Sequence, residues 1–180
     1  VEGKGWPELA GAARELLRAR EDVVVEFLGE GPLRATLADL EREFPGRFAA
    51  PGEAPDFAAR LARADLLLIG SEHESFSMVL LEALAAGVPV AGFLPEGGPR
   101  EIVHQVAGEK PRLLRDRDAS ELARAAAELL DDASRRAAMA EAGREAFLRA
   151  YSAEPSLLAL HRLYAQAGAS LALEASAPAR

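Results

Sequence analysis

Cysteine is absent from this sequence of 180 residues. Disulfides, thiolate metal sites and cysteine nucleophiles are therefore excluded, which fits a reducing compartment. Lysine is scarce: Lys4 and Lys110 are the only two, and neither context suits pyridoxal phosphate chemistry. The three histidines, His73, His104 and His161, have no metal-ligand spacing. Positive charge is outnumbered, with 21 Lys and Arg against 29 Asp and Glu for a net charge of −8. That excludes broad electrostatic binding to nucleic acid or anionic lipid, although a local basic pocket survives the sum. A long apolar run is missing too. The stretch from Ala83 to Pro95 is interrupted by Gly87, Pro89 and Gly92 and falls short of the ~20 residues of a spanning helix. The chain opens Val1-Glu2-Gly3-Lys4-Gly5, without a methionine or a signal-peptide pattern. The expectation is a cytoplasmic piece of a longer protein.

What is present is globular in character: 49% hydrophobic and 28% charged residues. One domain over residues 1–180 is expected, ordered to about residue 168, with 169–180 a frayed Ala- and Ser-rich tail. Strand and helix patterns alternate. A helix opens at Pro7, with Leu9, Ala13, Leu16 and Leu17 at helical spacing. The β-branched run from Asp22 to Leu28, closed by Gly29, reads as a strand. Pro32 opens a helix carrying Leu33, Leu37 and Leu40, and Arg47-Phe48-Ala49 is a short weak strand. A short helix runs from Pro55 to about Arg63. Asp65 to Gly70 contains the continuous apolar run of a strand buried on both faces. Ser71 to Ser75 reads as a polar loop, Ser77 to Ala86 as a helix stopped at Gly87, and Val88 to Phe93 as a strand. A turn at Gly97-Gly98-Pro99 precedes a short helix from Glu101 to His104, and Arg112-Leu113-Leu114 is the last strand. Asp118 and Asp132 are placed to cap two further helices, ending near Asp131 and Tyr151, and Pro155 opens a final one to about Ala167. This alternation predicts a mostly parallel sheet with helices on both faces, binding ligands outside the carboxyl ends of its strands.

The loops at those ends hold the chemistry. Glu74 follows a buried strand, and Glu82 lies eight positions later in the next helix. Between them is a helix N-terminus, whose free N–H groups favour an anion. Two carboxylates flanking a phosphate-sized slot could grip hydroxyls on either side of it. Spacing alone is equally compatible with two solvated glutamates.

The stretch from Glu74 through Glu82 to Ala83-Leu84-Ala85-Ala86-Gly87-Val88-Pro89-Val90 resembles the E-x7-E signature of retaining glycosyltransferases of the GT-B fold, in particular glycosyltransferase family 4, also called group 1. Lys4-Gly5 resembles the family's KG, Gly29-Glu30-Gly31-Pro32-Leu33 its GDGP turn, Ala64-Asp65 its AADV, and Gly97-Gly98-Pro99-Arg100-Glu101-Ile102-Val103 its GGxxEIV. These landmarks keep family order from residue 4 to about 103. The resemblance implies a Rossmann-like three-layer α/β/α domain, the C-terminal half of a GT-B enzyme, with an N-terminal acceptor domain elsewhere in the polypeptide. It implies that Glu74 holds hydroxyls of the donor sugar and that Glu82 holds the ribose. The backbone N–H groups around Ser75, Phe76, Ser77 and Met78 would cradle the diphosphate, and Lys4 would neutralise it. Gly29, Glu30 and Gly31 would let the nucleotide sugar approach the backbone. A nucleotide sugar, with UDP mildly favoured, is the implied partner, and neither metal nor cofactor is implied. The full-length protein could lie at the inner face of a membrane.

The sequence also departs from the pattern. Ser75-Phe76-Ser77 stands where Gly-Phe-Gly is commoner, and Gly70-Ser71 replaces Pro-Ser. These serines are the sequence support for an alternative, a non-catalytic nucleotide-sugar-binding or regulatory module of the same fold. A strand before Lys4 that often carries a diphosphate-binding Arg is not in this sequence. Asp116-Arg117-Asp118 spells a metal-binding D-x-D, but its place before a helix makes it capping charge. His73 beside Glu74 reads as a half-exposed loop residue, Trp6 as a core or domain-edge contact, and Glu109-Lys110-Pro111-Arg112 takes no role.

Overall fold

The computed structural model describes residues 3–31 and 34–166. Pro32, Leu33 and the expected tail from 169 to 180 lie outside the described residues. Among the described residues the order is α1 (Trp6–Ala19), β1 (Val25–Leu28), α2 (Arg34–Glu43), β2 (Phe48–Gly52), α3 (Phe57–Leu61), β3 (Leu67–Ile69), β4 (His73–Glu74), α4 (Met78–Ala86), β5 (Val90–Phe93), β6 (Glu96–Gly97), α5 (Pro99–His104), β7 (Arg112–Leu114), α6 (Ala119–Asp131), α7 (Ala133–Ala150) and α8 (Ala153–Gln166). Every strand pairing is parallel. The result is a Rossmann-like α/β fold.

The period-2 alternation of β5 sets up the layers. Ala91 and Phe93 pack with Leu9, Ala12 and Leu16 of α1 and Leu122, Ala126 and Leu129 of α6. Val90 faces the other way, with Leu80 and Leu84 of α4, Ile102 of α5 and Ala146 of α7. A third cluster joins Ala13 and Leu17 of α1 to Leu37 and Leu40 of α2 over Phe48 and Ala50 of β2. The two long C-terminal helices begin where their carboxylates dictate. Asp118 accepts from the N–H groups of Ser120 and Glu121, and Asp132 from that of Arg135.

The sheet is not continuous among the described residues. β1 pairs with β2, and β3 with β5 and then β7, but no ladder joins β1 to β3; α1 packs across both parts. This corrects two expectations. The first strand forms only from Val25, because its partner β2 begins at Phe48 and leaves residues 22–24 without a ladder. β3 is not buried on both faces as its apolar run suggested. Leu67 and Leu68 are only partly buried, whereas all four residues of β5, which has a neighbour on each side, are buried. The presumed polar loop after β3 also contains a strand, β4, which pairs with β6.

Candidate functional site

α3, after β2, starts at Asp56 with no side chain closing its first turn. Three more helices start in the same way around the β3–α4 connection: α1 after Gly5, α4 after Ser77 and α5 after Gly98. Their free N–H groups leave partial positive charge around the β3–α4 connection. The segment leading into α1 is tied to that connection, since the carbonyl of Gly3 accepts from the N–H of Glu72 at 2.8 Å. Gly5 is left-handed at φ 66°, and a Cβ there would lie 2.0 Å from the Gly70 carbonyl oxygen. Only glycine permits this approach. It brings Lys4 to Glu74, with Nζ 2.5 Å from Oε1.

Glu74 is held from three sides. The Ser71 hydroxyl donates to the same carboxylate oxygen at 2.8 Å. The backbone of β4 lies against β6, and the Gly98 N–H donates to the Glu74 carbonyl at 3.0 Å. A Cβ on Gly97 would fall 2.1 Å from the Glu74 carbonyl oxygen, and one on Gly98 would fall 2.2 Å from that of Ser75. The Gly-Gly pair therefore exists so that one backbone can lie directly on another. Burial pushes the Glu74 carboxyl up, but the Lys4 ammonium and the Ser71 hydroxyl outweigh it and hold the group below the ordinary carboxylate range.

The neighbouring candidates follow in order. Ser75 is exposed, and the half-exposed Phe76 ring sits edge-on to Tyr151 at 6.0 Å. Ser77 is buried at the N-cap of α4 without capping it, and Met78 is 60% exposed. Glu82 is exposed on α4, one turn beyond Met78 and on the same face. Its carboxylate makes no hydrogen bond with the Lys4–Glu74 pair. Gly29 closes β1, 3.9 Å from Trp6 as measured from a built Cβ. It lines a cavity of about 390 Å³ with Leu28, Glu53, Ala54, Pro55 and Phe57. Glu30 is turned to Arg34 at 3.3 Å, and the Gly31 carbonyl accepts from the Arg34 N–H. The structure thus joins Lys4 and Glu74, aligns Ser75 to Met78 and Glu82 along the start of α4, and sets Gly29 beside Trp6 with Glu30 and Gly31 turned to Arg34. Glu109 and Lys110 are structural, bonded to Arg135 and to the Val103 carbonyl.

Sequence reasoning missed Arg117. Its guanidinium donates to the carbonyls of Gly70 and Ser71, at 2.7 and 3.4 Å, across 46 or more positions of sequence. No local pattern marks such a contact. Among the described residues, no group of three or more His, Cys, Asp or Glu could hold a metal ion. No helix among them is long and apolar enough to cross a membrane.

Known proteins share this fold. The chain is 32% identical over 145 residues to the N-acetyl-alpha-D-glucosaminyl L-malate synthase of Bacillus anthracis, an alignment covering 79% of this chain and 37% of that one. It superposes with a TM-score of 0.79 and 20% identity on S. aureus TarM in complex with fondaparinux, alpha-GlcNAc-glycerol and UDP, covering 91% of this chain and 33% of that one. The C-terminal domain of LpcC, a glycosyl transferase group 1 family protein from Francisella tularensis, superposes with a TM-score of 0.73 at 20% identity, over 85% of this chain and 82% of that domain. The chain spans less than half the length of the curated relatives it matches. The family model described as "Glycosyl transferases group 1" matches residues 1–146, most of the sequence and all of the rim around Glu74, and the chain belongs to that family.

Proposed function

We propose that this chain is the donor-binding, C-terminal half of a retaining family 4 glycosyltransferase of the GT-B fold. The complete enzyme would move a sugar from a nucleotide diphosphate sugar to an acceptor hydroxyl. The observation that carries the reading is the Lys4–Glu74 pair set among the open N-termini of α1, α4 and α5. A cation, a carboxylate and unfilled N–H groups complement a diphosphate joined to a polyhydroxyl ring. Support comes from the UDP in the TarM complex and from the likeness to an isolated C-terminal domain.

Donor binding exchanges partners. The diphosphate takes Lys4 and the N–H groups around Phe76, Ser77 and Met78. Breaking the Lys4–Glu74 pair costs little, because Lys4 is 46% exposed and such pairs contribute about 0–1 kcal/mol. Glu74 keeps the Ser71 hydroxyl and accepts a sugar hydroxyl in place of the lysine. Glu82 accepts from the ribose, and the cavity beside Gly29 seats the base. In the reaction the bond from the anomeric carbon to the diphosphate breaks. The acceptor oxygen bonds to the same face, and its proton passes to the leaving phosphate. Charge grows on that phosphate, where Lys4 and the helix N–H groups would stabilise it, and one such donor is typically worth ~3 kcal/mol. The positive charge comes from the protein, so the reading needs neither metal nor cofactor. A strand preceding Lys4 in the longer polypeptide fills the space between β1 and β3, and an N-terminal domain supplies the acceptor site.

Calorimetric titration of the chain with UDP-glucose, GDP-mannose and ADP-glucose tests this. Binding of one of them, without sugar transfer, is expected. Absence of heat with all three overturns the site assignment.

A further inference from the structure

Arg117 lies in the β7–α6 connection with its side chain 28% exposed. Four parts of the molecule converge on it. Its Nη2 donates to the Gly70 carbonyl at 2.7 Å and its Nη1 to the Ser71 carbonyl at 3.4 Å, at the end of β3. Its Nε faces Glu8 in the first turn of α1 at 3.3 Å and Glu72 at 3.9 Å. The ring of Phe93, the last residue of β5, lies beneath it at 4.7 Å to the centroid. A planar guanidinium can do all of this at once, because its donors are fixed in a fork and its face stacks on an aromatic ring. The Ser71 whose carbonyl it holds is the residue whose hydroxyl donates to Glu74.

We infer that Arg117 is a positioning residue for the donor site. By clamping the Gly70 and Ser71 carbonyls over Phe93, it fixes the Ser71 hydroxyl against Glu74. Its importance for sugar binding rests on the reading of Glu74 as a donor ligand; its control of Glu74 does not. Lys4 before α1 is the charged group that faces this carboxylate; Glu72 and His73 precede Glu74 in the chain, and Glu72 lies beside Arg117.

The test is an NMR titration of the Glu74 side-chain carboxyl in the ligand-free chain and in Arg117→Gln, Ser71→Ala and the double variant. Both single variants are expected to raise its midpoint by about half a pH unit. The double variant should rise no further than Ser71→Ala, since coupled residues are not additive. An unchanged midpoint in folded Arg117→Gln, or additive shifts, overturns the inference. Arg117→Lys keeps the charge but cannot span both carbonyls, so it serves if the glutamine variant fails to fold and should raise the midpoint in the same direction. Calorimetry separates the two readings. Arg117→Gln should weaken UDP-glucose about tenfold and UDP less than about twofold, matching the loss of one oriented hydrogen bond at the sugar. If the unaltered chain binds no nucleotide sugar yet the titrations are coupled, the donor reading falls and the positioning role stands.

Discussion

The helices of this domain begin in two ways. α6 and α7 start under the carboxylates of Asp118 and Asp132, which satisfy their first N–H groups. α1, α3, α4 and α5 start after Gly5, Asp56, Ser77 and Gly98 with no such closure. α6 follows β7 and so also begins at the carboxyl end of the sheet. Location alone therefore does not leave a helix open. Surroundings distinguish them further: α1, α4 and α5 start beside the Lys4–Glu74 pair and the close backbone contacts that support it, whereas open and closed helices alike contribute to the hydrophobic layers. On the proposed reading, the starts of α1, α4 and α5 serve a partner that supplies negative charge.

Substitutions should divide along that line. The largest effect is expected from Gly97→Val. Its side chain would start 2.1 Å from the Glu74 carbonyl oxygen at φ 107°, and strain and collision together should cost roughly 2–4 kcal/mol in denaturant unfolding and abolish UDP-glucose binding. Next is Glu74→Gln, expected to weaken UDP-glucose by roughly tenfold or more through the charged hydrogen bond it loses while sparing UDP. Glu82→Ala should weaken both ligands. Equal losses of UDP and UDP-glucose in Glu74→Gln would undo that division of roles. Asp132→Ala probes the closed region: about 1 kcal/mol of stability should go, seen as a melting shift of roughly 2–4 °C, with donor affinity unchanged. An equal effect on binding would erase the contrast between the regions.

The smallest effect is in pH. Glu74 titrates lower in the folded chain than in the unfolded one. Its contribution to stability is therefore complete above the ordinary carboxylate range and disappears as pH falls through the lowered folded value. The stability gap between the unaltered chain and Glu74→Gln should close on acidification in urea melts. A gap that widened would place the shift in the wrong direction.

Much of the fold was legible because its signals are local. Asp118 and Asp132 marked the starts of α6 and α7, Gly87 the end of α4, and the alternating strand and helix patterns the parallel architecture. The β4–β6 pair was not legible, because each strand is two residues long and its reason for existing is the missing Cβ of Gly97 and Gly98 against a backbone over 20 residues away. The extent of β1 depended on where β2 begins, which no property of residues 22–24 reveals. Within the site, Lys4 and Glu74 were singled out separately as ligands of one donor. That they bind each other is a contact across 70 positions. Arg117 was read as the middle of a capping stretch, since only folding shows which carbonyls it reaches.

The break between β1 and β3 has a practical consequence. At the outside of the sheet, β2 carries Pro51 and β7 carries the exposed Arg112, features that discourage another strand from adding on. The inward margins have no proline, and β3 offers only leucine and isoleucine. On the β1 side the exposed Glu26 interrupts the apolar margin, but β3 presents an unguarded template for intermolecular strand addition. The chain should cluster into oligomers as its concentration rises, a tendency that the upstream strand proposed above ought to remove.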